Sequence, residues 1–114
     1  IEVINTAGIE IITTLLPVVD DFERAVKSSE QTSDIEALKE GIVLVYNKLL
    51  NILNRKGLEP MKTLGEPFDP EFHEAITNIP APSKELVGKV VDEVEKGYLL
   101  NGKVIRYSKV VVGN

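Results

Sequence analysis

The chain has 114 residues, enough for one ordinary domain or for two small modules sharing a core. It has no cysteine, so it can build no disulfide framework, thiolate zinc site or thiol nucleophile, and its net charge of −5 disfavours a nucleic-acid backbone as partner. No apolar run approaches the roughly 20 residues that span a bilayer, and the start lacks a signal-peptide pattern.

Ile1 falls in what reads as the middle of a helix, so part of that helix is expected upstream of it. From Ile9 to about Lys27 the pattern is helical, with Leu15, Val19, Phe22 and Val26 on one stripe. Pro17 lacks a donor and clashes one turn back, which predicts a kink or a fresh helix start there. Asp20, Asp21 and Glu23 follow it, as a helix N-terminus favours.

Ser28 to Ser33 reads as a polar loop, and Ser33-Asp34-Ile35-Glu36 then spells a capping box. The helix it opens keeps a heptad seam of Ile35, Leu38, Ile42, Val45, Leu49 and Ile52, widened by Val43, Tyr46, Leu50 and Leu53. Gly57 after Arg55 and Lys56 is a helix stop. The apolar face is too wide for the first helix to cover. A second copy is the simplest cover, giving a four-helix bundle across a two-fold axis with Leu15, Val19, Phe22, Ile42, Val45, Leu49 and Ile52 in its core. Otherwise Val43, Tyr46 or Leu50 would form an exposed patch of a size that monomers rarely carry.

The texture changes after Gly57. Five X-Pro pairs between Glu59 and Pro82 favour loop or edge strand, while Phe72 to Ile76 reads as a helical turn or two. Val87 to Glu95 and Val104 to Val112 are β-branched runs. Their alternation sets Val87, Val91, Tyr107 and Val111 inward and Lys89, Glu93 and Lys109 outward. The predicted fold is therefore α+β, with a helical dimerisation region at 1–57 and a small, mostly antiparallel β-domain with its linker at 58–114. Within that domain Asn101-Gly102 between strand-like runs signals a type I′ hairpin, which brings Lys103 and Arg106 close to Tyr98.

Little here supports bond-making chemistry. His73 is the single histidine, and with Asp69, Glu71 and Glu74 nearby it reads as a turn-fixing side chain rather than a general base. Ser83 and Ser108 have no second histidine to activate them, and the carboxylates are not spaced for zinc. Gly97 and Gly102 flank a hairpin rather than a helix start, so they make no phosphate cradle, and no cofactor is expected. Gly41 costs a helix about 1 kcal/mol relative to Ala. Close packing inside the bundle and close approach of another backbone both account for it. Lys96, Lys103, Arg106 and Lys109 read either as a solvated face or as an anchor for an acidic partner.

Several stretches together resemble GrpE, the family of nucleotide exchange factors of DnaK-type chaperones. They are Leu15-Leu16-Pro17-Val18-Val19-Asp20, Phe22-Glu23-Arg24-Ala25, Glu40-Gly41-Ile42, and Phe68-Asp69-Pro70 with His73, Ala75 and Ile76. The most recognisable run is Lys96-Gly97-Tyr98, Leu100-Asn101-Gly102-Lys103 and Ile105-Arg106. The resemblance implies a homodimer with a four-helix bundle and a small β-domain, and a long paired helix lying mostly upstream of Ile1. It implies that the β-domain of one protomer inserts against the chaperone's nucleotide-binding domain and opens its cleft to release ADP. Phe68, Val94, Lys103, Arg106 and Val112 would lie on or near that face, with Gly41 on the bundle surface. Asp69, Pro70, Tyr98, Asn101 and Gly102 would shape the linker and hairpin. It implies no enzymatic activity, no cofactor, no nucleic acid and no membrane. A bacterial cytoplasm or a mitochondrial matrix suits such a protein. The reading from another class is a dimeric helical scaffold that exchanges nothing, for which the heptad seam alone would suffice.

Overall fold

A computed structural model describes residues 2–114, with side chains from residue 6 onward. The chain forms two compact units, Ile1–Lys56 and Gly57–Asn114. The first is a pair of helices, α1 (Glu2–Gln31) and α2 (Ile35–Arg55). Glu10 meets Lys56 at 2.8 Å and Asp21 meets Lys48 at 2.8 Å, so the two helices run antiparallel.

The structure corrects three local expectations in this unit. The helix does not restart at Pro17, because α1 continues through it. Pro17 and Thr13 both sit on the exposed side, where water can serve the carbonyl that loses its partner. The loop does not begin at Ser28, since α1 continues to Gln31. The cap of α2 is Asp34 rather than Ser33. Its carboxylate accepts the backbone N–H groups of Glu36 at 3.1 Å and Ala37 at 3.3 Å. A carboxylate at a helix start gains from the dipole as well as from the orphan donors, which a serine hydroxyl does less well. At the other end Gly57 follows the last turn with φ of +100°, a conformation glycine adopts without penalty.

Val18 and Val45 are the buried apolar side chains of this unit, with Leu15, Leu49 and Ile52 half-buried. Of the expected bundle core, Val19 is 55% exposed and Ile42 58%, and Phe22 also faces outward. Val43 and Tyr46 are exposed too. Within one chain the helices meet along a narrow seam, and a broad apolar surface is left over.

The second unit holds six strands in two three-stranded sheets. In the first, β1 (Leu58–Pro60), β4 (Tyr98–Leu100) and β5 (Lys103–Arg106) lie in the order β1-β4-β5, all antiparallel. In the second, β2 (His73–Ile79) runs parallel to β6 (Ser108–Gly113), and β3 (Val90–Glu95) runs antiparallel on its other side. Pro60 ends an edge strand, where its missing donor costs no ladder bond. Phe72 to Ile76 is not a helical turn, since the strand β2 occupies it from His73 on.

Val90, Val110 and Val112 make the core, with Phe68 packed against them. The expected alternation holds only in part: Lys109 is exposed as expected and Val91 and Val111 are half-buried, but the buried valines are Val90, Val110 and Val112. Val87 is exposed and Tyr107 is 51% exposed, whereas Glu93 is half-buried on the inner side. On β6 the count is offset at Tyr107, which stands between β5 and β6 where the chain leaves one sheet for the other. A change of sheet resets the period-two count, and a shift of one residue moves every side chain to the opposite face. Bulges in β3 between Val90 and Asp92 and between Glu93 and Glu95 add to it.

Candidate functional site

The hairpin β4–β5 turns at Asn101 and Gly102, with φ of +50° and +82°, as a type I′ turn requires. Its tip is tied down, because the Asn101 N–H donates to the Gly57 carbonyl at 2.9 Å. Lys103 follows the turn, exposed and with no ion-pair partner among the described residues. Arg106, at the far end of β5, lies opposite Tyr98 with its guanidinium 5.2 Å from the ring centroid.

The linker turn is built around Asp69. Its carboxylate accepts the Glu71 N–H at 2.9 Å, and its carbonyl accepts those of Phe72 at 3.0 Å and His73 at 2.8 Å. Pro70 supplies the fixed φ that the second position of such a turn favours. His73 is 7% exposed, and its Nδ1 accepts the Asp69 N–H at 3.0 Å while its ring lies against Phe68 and Phe72. Through Nδ1 the side chain fixes the turn.

The Gly57–Asn114 unit is thus a small two-sheet platform carrying one tethered hairpin. A protein-family model, GrpE, matches residues 2–114. The chain belongs to the GrpE family. It is 49% identical over 112 residues to Protein GrpE of Bacteroides thetaiotaomicron, covering 98% of this chain and 58% of that protein. Protein GrpE of Bacteroides fragilis is 50% identical over 112 residues, with 98% and 57% covered. Protein GrpE of Francisella tularensis subsp. novicida is 43% identical over 98 residues, with 86% and 50% covered. The chain therefore spans rather more than half the length of the first two relatives.

Within this GrpE-family chain the residues expected at the partner face fall into different situations. Val94 and Lys103 are exposed. Phe68 is half-buried and packs on the core and on His73. Val112 is 8% exposed and sits in the core, unlike the exposed Val94 and Lys103. On β6 it pairs with Asn78 of β2 on one side and Val90 of β3 on the other. Arg106 is exposed but engaged within its own chain, its Nε donating to the Lys96 carbonyl at 3.0 Å.

Gly41 lies on α2 beside an open groove of about 950 Å³ between the two helices, lined also by Phe22, Val26, Leu38 and Ile42. A Cβ there would meet nothing within 4 Å, so packing within one chain does not demand glycine. Asp21 borders the same groove. The Lys48 ammonium, then the Arg24 guanidinium, hold its carboxyl below the ordinary value of 3.8. Lys56 acts likewise on Glu10.

Two features escaped sequence reading. Gly97 is buried, and a Cβ on it would stand 2.5 Å from the Ser108 nitrogen and 2.9 Å from the Arg106 carbonyl oxygen. It is glycine because the backbone of the β5–β6 junction lies against it, a demand that no local pattern announces. Ser108 is fully buried and donates its hydroxyl to the Glu93 carboxylate at 3.0 Å, which draws Glu93 inward. Among the described residues no group of three or more His, Asp or Glu could hold a metal ion, and no helix is long and apolar enough to cross a membrane.

Proposed function

We propose that this chain is the bundle and β-domain part of a nucleotide exchange factor. In this reading it works as a homodimer on the nucleotide-binding domain of a DnaK-type chaperone in a bacterial cytoplasm, its Bacteroides relatives being bacterial. The observation that carries the reading is the tethered hairpin, with Lys103 beside its turn and unpaired among the described residues, in a chain that matches the GrpE family model along nearly its whole length. The dimer is supported by the apolar surface that one chain leaves open, with Val19, Phe22 and Ile42 outward and the last two lining the groove. The vacant space at Gly41 suits the close approach of another molecule.

The mechanism is a shift of population, with no bond made or broken. A chaperone cleft exchanges between a closed form that holds ADP and an open form that does not. A rigid wedge that binds only the open form raises its share by the ratio of the wedge's affinities for the two. A rigid wedge suits this task because a compliant one would adapt to both forms and shift nothing. Linkage adds a requirement: whatever factor the chain takes from ADP affinity, ADP takes from the chain's affinity. ATP binding then displaces the chain.

The test is release of a fluorescent ADP analogue from a DnaK-type chaperone, with the wild-type chain and with Lys103→Glu. Faster release, lost in Lys103→Glu while the variant stays folded, is the expected result. Unchanged release with a folded wild-type dimer, persisting in a chain extended to the relatives' length, overturns the reading.

A further inference from the structure

The most telling surroundings in the hairpin are those of Arg106, whose role here rests on the exchange-factor reading. Charge and resemblance place it among the cations that would meet a partner. Its environment is that of a side chain already occupied. Nε donates to the Lys96 carbonyl at 3.0 Å, Nη1 lies 3.3 Å from the Glu95 carboxylate, and the guanidinium stands 5.2 Å from the Tyr98 ring centroid. These three anchors come from different places in the fold. Tyr98 is the cross-strand neighbour within the hairpin sheet, Glu95 ends β3 in the other sheet, and Lys96 begins the short link between them. The same Glu95 carboxylate takes Lys109 of β6 at 3.4 Å.

A planar fork of donors can satisfy a carbonyl, a carboxylate and a ring face together, and a lysine ammonium cannot. Each contact alone is a surface interaction of small effect. Together they fix one orientation of one rigid group across the junction of two sheets. The hairpin itself does not need them, since β1 pairs along β4 and Asn101 is bonded to Gly57. What they add is the angle at which the hairpin leaves β3.

We infer that Arg106 is a positioning residue: it locks the β4–β5 hairpin against the end of β3, and so aims Lys103 at the partner, without touching the partner itself. Glu95 is the other half of the lock. It also withholds Arg106 and Lys109 from the exposed charge, leaving Lys103 as the cation the hairpin offers.

The two roles give opposite signs for one substitution. If Arg106 met an acidic partner directly, Glu95→Gln would release two cations toward it and tighten binding. As a lock, Glu95→Gln loosens the hairpin and weakens binding. The experiment measures affinity and the salt dependence of association of the full chain for the chaperone's nucleotide-binding domain. Expected are losses of about tenfold in Arg106→Lys, similar to those in Arg106→Gln, and a smaller loss in Glu95→Gln. The salt slope should flatten in Lys103→Gln and stay as in wild type in Arg106→Gln. Near-wild-type affinity in Arg106→Lys, or tighter binding in Glu95→Gln, overturns the inference. A second arm needs no partner: backbone relaxation of the Asn101–Val104 amides should show added motion in Arg106→Lys and Glu95→Gln, with β6 amides unchanged. Hairpin amides that stay as rigid as wild type overturn it as well. Should the wild-type chain fail to bind at all, the exchange-factor reading falls, while the relaxation arm still decides the role of Arg106.

Discussion

Val18 and Val45 are buried in the helical unit, while Val90, Val110 and Val112 are buried in the β unit, yet these similar sets sit in opposite situations. Around the first, Ile9, Ile12, Leu16, Val19, Val26, Ile42 and Leu44 stand exposed on two helices, the last three of them lining an open groove. Around the second, polar groups are drawn inward, Ser108 donating to Glu93 and His73 accepting from the Asp69 N–H, while the buried Thr63 hydroxyl has no partner among the described residues. The helical unit has more apolar surface than one chain can cover. The β unit closes over its valine core with short strands, and its exposed apolar residues, among them Ile76, Val87, Val94, Ile105 and Tyr107, lie outside that core. Each unit therefore draws its stability from a different source: the β unit from internal packing and the helical unit, on the proposed reading, from a second copy.

Substitutions can break that contrast at several points. The largest effect is expected for Val110→Asp, which places an unpaired carboxylate in a site of no solvent access and should cost several kcal/mol. Loss of the dispersed Val90 and Val112 methyl signals checks it, and a tolerated aspartate would mean the core is not closed. Gly97→Ala comes next. A Cβ pressed against the Ser108 nitrogen and the Arg106 carbonyl must push strands apart, at about 1–3 kcal/mol read from urea unfolding. Ile42→Asp probes the helical unit instead. Its side chain is exposed in one chain, so a monomer should tolerate it, whereas a dimer should dissociate with a constant raised at least about tenfold, or about 1.4 kcal/mol. Sedimentation reads that directly, and an unchanged association state removes Ile42 from the interface.

The smallest effect concerns pH. Asp21 and Glu10 both have carboxyl pKa values lowered in the folded chain by lysines at the α2 end of each ion pair. A lowered value means that the folded state favours the charged form. Its contribution is then present above the unfolded values near 3.8 and 4.5 and is lost as pH falls through the folded ones. Helical stability should drop slightly on acidification below about pH 4.5. Lys48→Met should flatten that dependence by removing the cation opposite Asp21, and both groups are too exposed for more than a modest change.

Much of the fold was legible because its signals are local. Asn101-Gly102 marks a turn whatever surrounds it, since only a few residues take positive φ in succession. The heptad run from Ile35 to Ile52 marks a helix and an apolar stripe for the same kind of reason, and Gly57 marks its end. The capping position slipped by one residue because Ser33 and Asp34 are both good caps, and only the chain's path after Gln31 chose between them. The expected site residues divided along the same line. Exposed Lys103 was readable from charge and its place by the turn. The burial of Val112 and the engagement of Arg106 depend on strands far apart in sequence.

The two helices, the hairpin, the linker turn at Asp69-Pro70, the family and an apolar helical surface too wide for one chain are all written in the order of residues. Each follows from residue chemistry acting over a few positions. Which face of β3 and β6 is inside, why Gly97 has no side chain, and what Arg106 grips are settled by the folded arrangement alone. Those depend on where one sheet ends and the next begins. A change of one residue at that junction reverses every side chain beyond it, and no local pattern records where it happens.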